Sequence, residues 1–344
     1  MTERLLTPAY AELMAYTEDL NRRNGGSACA LYILQSGETV AEAYAGVHTH
    51  DAGARPASPD SQYNVASVRK SYIGLAVAWA LEQGLLPSLD APVDGLLPFR
   101  QEDAPAVEGV TLRHLLTHTH GLAEEDGRLT RRFAPGSSWL YNNVGIRMLT
   151  TLIPAVTGVP VAELLDRLVF SPLGWRETGW RTDASETLVP VIMDETGRAK
   201  LTTAPDGSGA AQNLFVSARD LARWGQLHLQ GGRWEGRQLV PEAAVRTAVS
   251  LQSPPELADE QPANGCLWLV KRGFTPLSPF GRTVPDGSYL IVGFTGPLVL
   301  VVPELKLVVV RMTNKSGNYG DDTMDYIGYL QQFTDMAVAA TARN

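Results

Sequence analysis

The chain has 344 residues, 44% of them hydrophobic and 19% charged, which excludes a disordered polymer and leaves room for roughly two domains of ~150 residues. Its 29 basic residues against 37 acidic ones give a net charge of −8, which argues against a general nucleic-acid binder. Two cysteines, Cys29 and Cys266, cannot build a disulfide framework, and unpaired thiols suit a reducing, cytoplasmic compartment.

The opening MTERLLTPAYAEL, with Glu3, holds no apolar run that could serve as a secretory leader. No stretch approaches the ~18 uninterrupted apolar residues of a membrane span. Residues 8–23 pattern as an amphipathic helix through Leu13, Met14, Tyr16 and Leu20. Ala28–Gln35 and 39–46 flank Ser36-Gly37-Glu38, so two strand-like runs around a glycine turn predict a hairpin. From 67 to 83 the pattern is a helix apolar nearly all round, which belongs in a core and which Gly84 ends. Between about 85 and 200, Pro and Gly separate short helical pieces at 112–117 (behind Thr111), 144–157 and 160–169. Ser217 with Asp220 three residues on predicts a capping box for a helix over 218–230. Strands return at 266–271, 288–294, Leu298–Val302 and Leu307–Thr313, and a closing helix spans about 320–340. Strands from both ends with helices between them predict an α+β fold, an antiparallel sheet of N- and C-terminal strands flanked by helices. Residues 1–84 and 205–344 would form that domain, and 85–204 a mainly helical inserted one.

The chemistry-bearing signal is Ser67-Val68-Arg69-Lys70 at the start of the apolar helix. Helical spacing of three places Ser67 and Lys70 on one face, one turn apart. A lysine desolvated there has a depressed pKa and can take the serine's proton, while the helix N-terminus offers donors to an oxyanion. Alone, the motif also fits a capping serine followed by a surface lysine. A second element, Tyr141-Asn142-Asn143, follows Pro135-Gly136 and lies 74 positions beyond Ser67. A tyrosine beside a lysine can serve as general base, and an asparagine can orient a lysine or a substrate amide.

With these two elements stand Leu115-Leu116-Thr117-His118-Thr119-His120-Gly121-Leu122, Ser171-Pro172-Leu173-Gly174, Ser217-Ala218-Arg219-Asp220-Leu221-Ala222 and Gly293-Phe294-Thr295-Gly296. In this order they resemble the serine β-lactamase and penicillin-binding-protein superfamily, in particular its esterase-like and nylon-oligomer-hydrolase-like branch. The resemblance implies Ser67 as nucleophile, Lys70 as its proton acceptor, Tyr141 as second acid/base and Asn143 as orienting Lys70 or the substrate. It also implies an oxyanion hole from the N–H groups of Ser67 and Phe294, the latter on the strand 288–294 that carries the third motif and Gly293. Many relatives carry K-T-G or H-T-G at the third motif. Here the triplet is Ile291-Val292-Gly293, or in another register Phe294-Thr295-Gly296. Either way the residue that helps hold a substrate carboxylate is missing, which favours neutral esters or amides.

Two H-T-H triplets, His48-Thr49-His50 and His118-Thr119-His120, lack the spacing of metallo-hydrolases, so neither metal nor cofactor is expected. The glycine-rich 207–210 lacks a following G-K-[ST] and is expected to line the cleft as a flexible segment. Trp139, Trp180, Trp224 and Trp268 are expected in the core or cleft wall, the two cysteines as inert core thiols, and Arg69 and Ser71 facing away from the reaction centre. The leading expectation is a serine hydrolase that cleaves small esters or amides through an acyl-enzyme, with a small-molecule substrate and no nucleic-acid or membrane partner. A β-lactamase or D,D-peptidase is the alternative within the superfamily, opposed by Ile291 and the missing leader. A catalytically silent binding domain is the third, opposed by Ser67, Lys70, Tyr141 and Asn143 standing together.

Overall fold

A computed structural model describes residues 5–342, so Glu3, which entered the leader expectation, lies outside the described residues. The fold is α+β. Eight antiparallel strands form the main sheet in the order Leu5–Leu6, Glu38–Gly46, Ala28–Gln35, Leu307–Thr313, Leu298–Val302, Tyr289–Val292, Leu269–Val270 and Ala263–Asn264. N- and C-terminal strands meet at its centre, where Leu307 to Thr313 pair with Gln35 to Cys29.

Both faces of that centre are covered, which is why its strands read as unbroken apolar runs. Along them the side chains alternate. Leu298, Leu300, Val302, Leu307 and Val309 turn toward the terminal helices Pro8–Arg23 and Tyr326–Thr341, against Tyr10, Leu13 and Phe333. Val299, Val301, Val308, Val310 and Met312 turn the other way, onto the core that holds helices Arg69–Glu82 and Ala218–Leu229. Among the described residues, no single helix is long and apolar enough to cross a membrane.

A second sheet, not foreseen from the pattern, orders Thr178–Trp180, Leu214–Ser217, Gln62–Asn64 and Leu188–Val189, the last pair parallel. Its strands are of two to four residues, too short to show periodicity. Other expectations shift at their edges for local reasons. The strand expected over 266–271 is only Leu269–Val270. Leu267 has a φ of +67°, and the Cys266 and Leu267 N–H groups donate to Ala248 and Leu116 carbonyls rather than to a strand. There the helix Arg69–Glu82 passes so close that a Cβ on Gly74 would meet the Cys266 carbonyl oxygen at 2.1 Å.

Strand 288–294 is shortened to Tyr289–Val292, because Gly293 to Pro297 close a turn through Gly293 N–H to Pro297 O and Gly296 N–H to Gly293 O. The closing helix begins at Tyr326, where the Asp325 carboxylate accepts the Gly328 N–H at 2.7 Å. Helix 160–169 is helical over Val161–Leu165 and widens to a π turn over Asp166–Phe170. Ser217 does cap Ala218–Leu229, but the reciprocal arm is absent: Asp220 accepts from Thr178 at 2.9 Å and pairs with Arg223 at 3.0 Å.

Candidate active site

The short strand Gln62–Asn64 delivers the chain to Ser67. Asn64 is buried and ties the turn together: its Oδ1 accepts the Ala66 N–H at 2.8 Å, and its Nδ2 donates to Gln212 O at 2.8 Å and Thr202 Oγ1 at 2.7 Å. Ala66 is forced into the left-handed region at φ +45°, a conformation that costs an alanine roughly 1–2 kcal/mol. A single 3₁₀ turn, Ala66–Val68, then carries Ser67 into the helix Arg69–Glu82. Ser67 therefore projects from a strained turn instead of capping an ordinary helix.

Lys70 lies one turn on, 2% exposed, with its Nζ 2.8 Å from Ser67 Oγ. It makes no ion pair among the described residues. Burial first, and then the positive charge of neighbouring Arg69, together pull its pKa down to about 7. Lys70 thus loses its proton near physiological pH while its Nζ stays within hydrogen-bonding reach of the serine hydroxyl. Tyr141 completes the cluster. Its hydroxyl lies 2.5 Å from Ser67 Oγ and accepts a hydrogen bond from Lys70 Nζ, which also stands 4.6 Å from its ring centre. Desolvation raises the Tyr141 pKa, opposed by its hydrogen bond to Ser67 and by Arg69.

Tyr141 is presented by the loop behind Pro135-Gly136, and the L-L-T-H-T-H-G-L segment is its cradle. Gly136 N–H donates to Thr119 O at 2.8 Å, and Leu140 N–H to His118 O at 3.0 Å. The buried His118 imidazole stands 4.9 Å, centre to centre, from the Tyr141 ring. Burial pushes His118 well below its ordinary pKa, with Lys70 adding to the effect, so it packs there as a neutral ring. Trp139, on the cleft wall, donates to Asn264 Oδ1 at 2.8 Å. Of the two asparagines, Asn142 holds the backbone, donating to Leu122 O at 2.8 Å and accepting from Val144 N–H at 3.0 Å. Asn143 stands exposed on the cleft wall at the start of helix Val144–Thr157 and makes no hydrogen bond to Lys70. Of its two expected roles, orienting Lys70 is not realised.

The third motif meets the turn that holds Ser67 from the other side. A Cβ on Gly293 would sit 2.4 Å from Val65 O, so only glycine fits at this approach, and Thr295 Oγ1 donates to Asn64 O at 2.7 Å. Gly296 instead abuts Thr313. The register is therefore Ile291-Val292-Gly293 toward the cleft. Among the described residues neither the Ser67 nor the Phe294 backbone N–H is used by another backbone or side-chain acceptor. Two such donors beside a serine hydroxyl could receive an oxyanion.

Elsewhere the side chains have other employment. His48 Nε2 meets Ser61 Oγ at 2.8 Å, His50 Nε2 meets Gly25 O at 3.0 Å, and His120 Nδ1 accepts the Leu122 N–H at 2.9 Å. Among the described residues, no three His, Cys, Asp or Glu gather to hold a metal. Segment 207–210 is pinned to the helix Val161–Leu165 through Ala162 N–H to Ser208 O, and only Gln212 beyond it reaches the cleft. That corrects its expected place in the cleft wall. Ser71 faces the core and accepts from Trp224 Nε1 at 3.0 Å, and both cysteines are buried and outside any disulfide. Arg69 stays off the cleft wall, but it is buried and its charge reaches Lys70. Asn64, Ala66 and Thr295 escaped sequence reasoning, since nothing in their spacing marks a turn bonded across more than two hundred residues.

A family model described as beta-lactamase matches residues 12–332 of the chain. An uncharacterised protein of Alkalihalophilus pseudofirmus is 40% identical over 309 residues, covering 90% of each chain. Esterase EstB of Burkholderia gladioli is 32% identical over 227 residues, 54% of this chain and 56% of that protein. Among solved structures, EstCE1, a hydrolase with promiscuous acyltransferase activity, superposes with a TM-score of 0.72 at 19% identity, over 95% of this chain and 98% of that one. A class C β-lactamase in complex with cefoxitin superposes with a TM-score of 0.74 at 16% identity, over 97% and 99%. These last two share the fold.

Proposed function

The chain belongs to the β-lactamase family, and from that premise we propose that it is a serine hydrolase that opens uncharged esters or amides through an acyl-enzyme. The observation that carries the proposal is the trio of Ser67 Oγ, Lys70 Nζ and Tyr141 Oη within hydrogen-bonding reach of one another. Neutral Lys70 accepts the Ser67 proton as Oγ bonds to the substrate carbonyl carbon. The carbonyl oxygen takes the negative charge and is met by the Ser67 and Phe294 N–H groups, each such donor being worth ~2.7–4 kcal/mol of barrier. As the tetrahedral intermediate collapses, Tyr141 gives its proton to the departing oxygen or nitrogen and regains one from Lys70. Water then attacks the acyl-enzyme with the same groups as base, and Ser67 recovers its proton.

Ile291 at the third motif supports uncharged substrates over carboxylate-bearing ones, and the relationship to esterase EstB supports esters. The test is a fluorophosphonate label followed by peptide mapping. Ser67 should carry the label, and Ser67→Ala should neither label nor hydrolyse p-nitrophenyl esters. A Ser67→Ala protein that hydrolyses them at the parental rate overturns the reading.

A further inference from the structure

The cavity in front of Ser67 encloses about 690 Å³. At about 30 Å³ for each water-sized atom, it holds roughly two dozen non-hydrogen atoms, several times what an acetyl ester would fill. Besides the trio, its wall is largely hydrocarbon, including Leu269, Leu277, Pro279, Ile291, Ile327 and Leu330. Exposed apolar surface also gathers here, for Leu277 and Phe294 are each 52% exposed and both line the cavity. An apolar surface left open to water at the mouth of a reactive centre marks the place where a ligand completes the burial.

The only charged side chains on that wall, among the described residues, are Lys70 and Asp325. Lys70 is committed to Ser67 and Tyr141, and Asp325 caps the closing helix through Gly328 N–H. No cation is left to pair with a substrate carboxylate, and Asp325 would repel one.

Resting on the serine-hydrolase reading above, we propose that the preferred substrates are uncharged esters or amides bearing a bulky apolar group, of about eight carbons or an aromatic ring, instead of acetyl-sized ones. The group fills the hydrocarbon wall between the strand Tyr289–Val292 and the start of the helix Tyr326–Thr341. Burying each methylene raises kcat/KM by about fourfold if it is fully desolvated in the transition state.

The experiment measures kcat/KM over two series, kept below the micellar range. One runs from p-nitrophenyl acetate to the octanoate, and the other from ethyl acetate to octyl and benzyl acetates. At least a tenfold rise along one series is expected. The p-nitrophenyl monoester of suberic acid, with its terminal carboxylate, should be at least tenfold slower than the octanoate. Leu277→Asp and Ile327→Asp should each cut the ratio of octanoate to acetate kcat/KM at least fivefold. Leu277 is half exposed, and Ile327 occupies the second position of its helix, where a carboxylate suits the N-terminal dipole, so both variants should fold. A wild type that labels at Ser67 yet shows flat or falling rates along both series overturns this inference alone, and so does a suberate ester as fast as the octanoate. Failure of Ser67 to label overturns the hydrolase reading beneath it.

Discussion

Arg311 and Arg69 are almost equally deep, at 7% and 4% exposure, yet the two sides of the molecule treat them differently. Arg311, in the central strand under the terminal helices, donates to Gly296 O at 3.2 and 3.3 Å and lies 5.0 Å from the Phe333 ring centre. Arg69, beside the nucleophile, makes no ion pair among the described residues, and its Nη1 is buried without a hydrogen-bond partner there. Next to it stand Lys70, also unpaired with any carboxylate, and Ala66 in a left-handed conformation. Arg311 also lacks an ion pair among the described residues, but the terminal-helix layer gives its guanidinium two hydrogen bonds and a ring face. The layer around Ser67 leaves Arg69 and Lys70 without carboxylate partners among the described residues, and burial together with the Arg69 charge lowers the Lys70 pKa to about 7. Strain and unpaired charge gather where they aid the chemistry, and the rest of the fold must hold them in place.

That contrast can be broken most sharply at Ser67. Ser67→Ala should lower kcat for ester hydrolysis by at least about 10³-fold while the thermal midpoint stays within a few degrees, measured on one preparation. The mirror experiment is Phe333→Ala, which empties the terminal-helix layer. It should cost about 3–5 kcal/mol in urea unfolding with kcat/KM per folded molecule unchanged. A loss of activity in step with stability would mean that the two layers are coupled.

Tyr141→Phe divides the trio itself. Nitrophenoxide leaves with little protonation whereas an amine must be protonated, so amide turnover should fall about tenfold or more beyond the loss on p-nitrophenyl esters. Lys70→Ala should damage both. Equal losses for Tyr141→Phe would assign the tyrosine to serine activation as well.

The pH dependence follows from Lys70, whose folded pKa of about 7 lies below its ordinary 10.5. Activity should rise with pH through about 7 as Lys70 loses its proton. For stability the sign is the same: between those two values the unfolded chain binds a proton that the folded chain has released, so this residue's contribution rises with pH. Lys70→Met should therefore be more stable than the parent near neutral pH, with the advantage shrinking toward pH 10.5 in denaturant titrations. The smallest expected effect is Arg69→Met. Removing the second cause of the Lys70 depression should move the acid limb of kcat/KM to higher pH. An unmoved limb would show Arg69 to be structural only.

What the sequence by itself determined was local and covalent. The spacing of Ser67 and Lys70, the hairpin Ala28–Gln35 to Glu38–Gly46, the helix Val144–Thr157 and the central strands were legible because periodicity and turn chemistry act over a few residues. The motif order also carried the family, and with it Tyr141, which no local rule places beside Lys70. Tertiary structure alone decided the rest. Asn143 makes no hydrogen bond to Lys70, while its neighbour Asn142 is held by Leu122 O and Val144 N–H. Gly293, not Gly296, meets the turn before Ser67 because the backbones of 65 and 293 touch across the molecule. The four-stranded sheet that aims Ser67 is made of segments too short to have a period, brought together from 62, 178, 188 and 214. The depressed lysine needed burial, and burial belongs to the whole packed chain, so no stretch of residues could announce it.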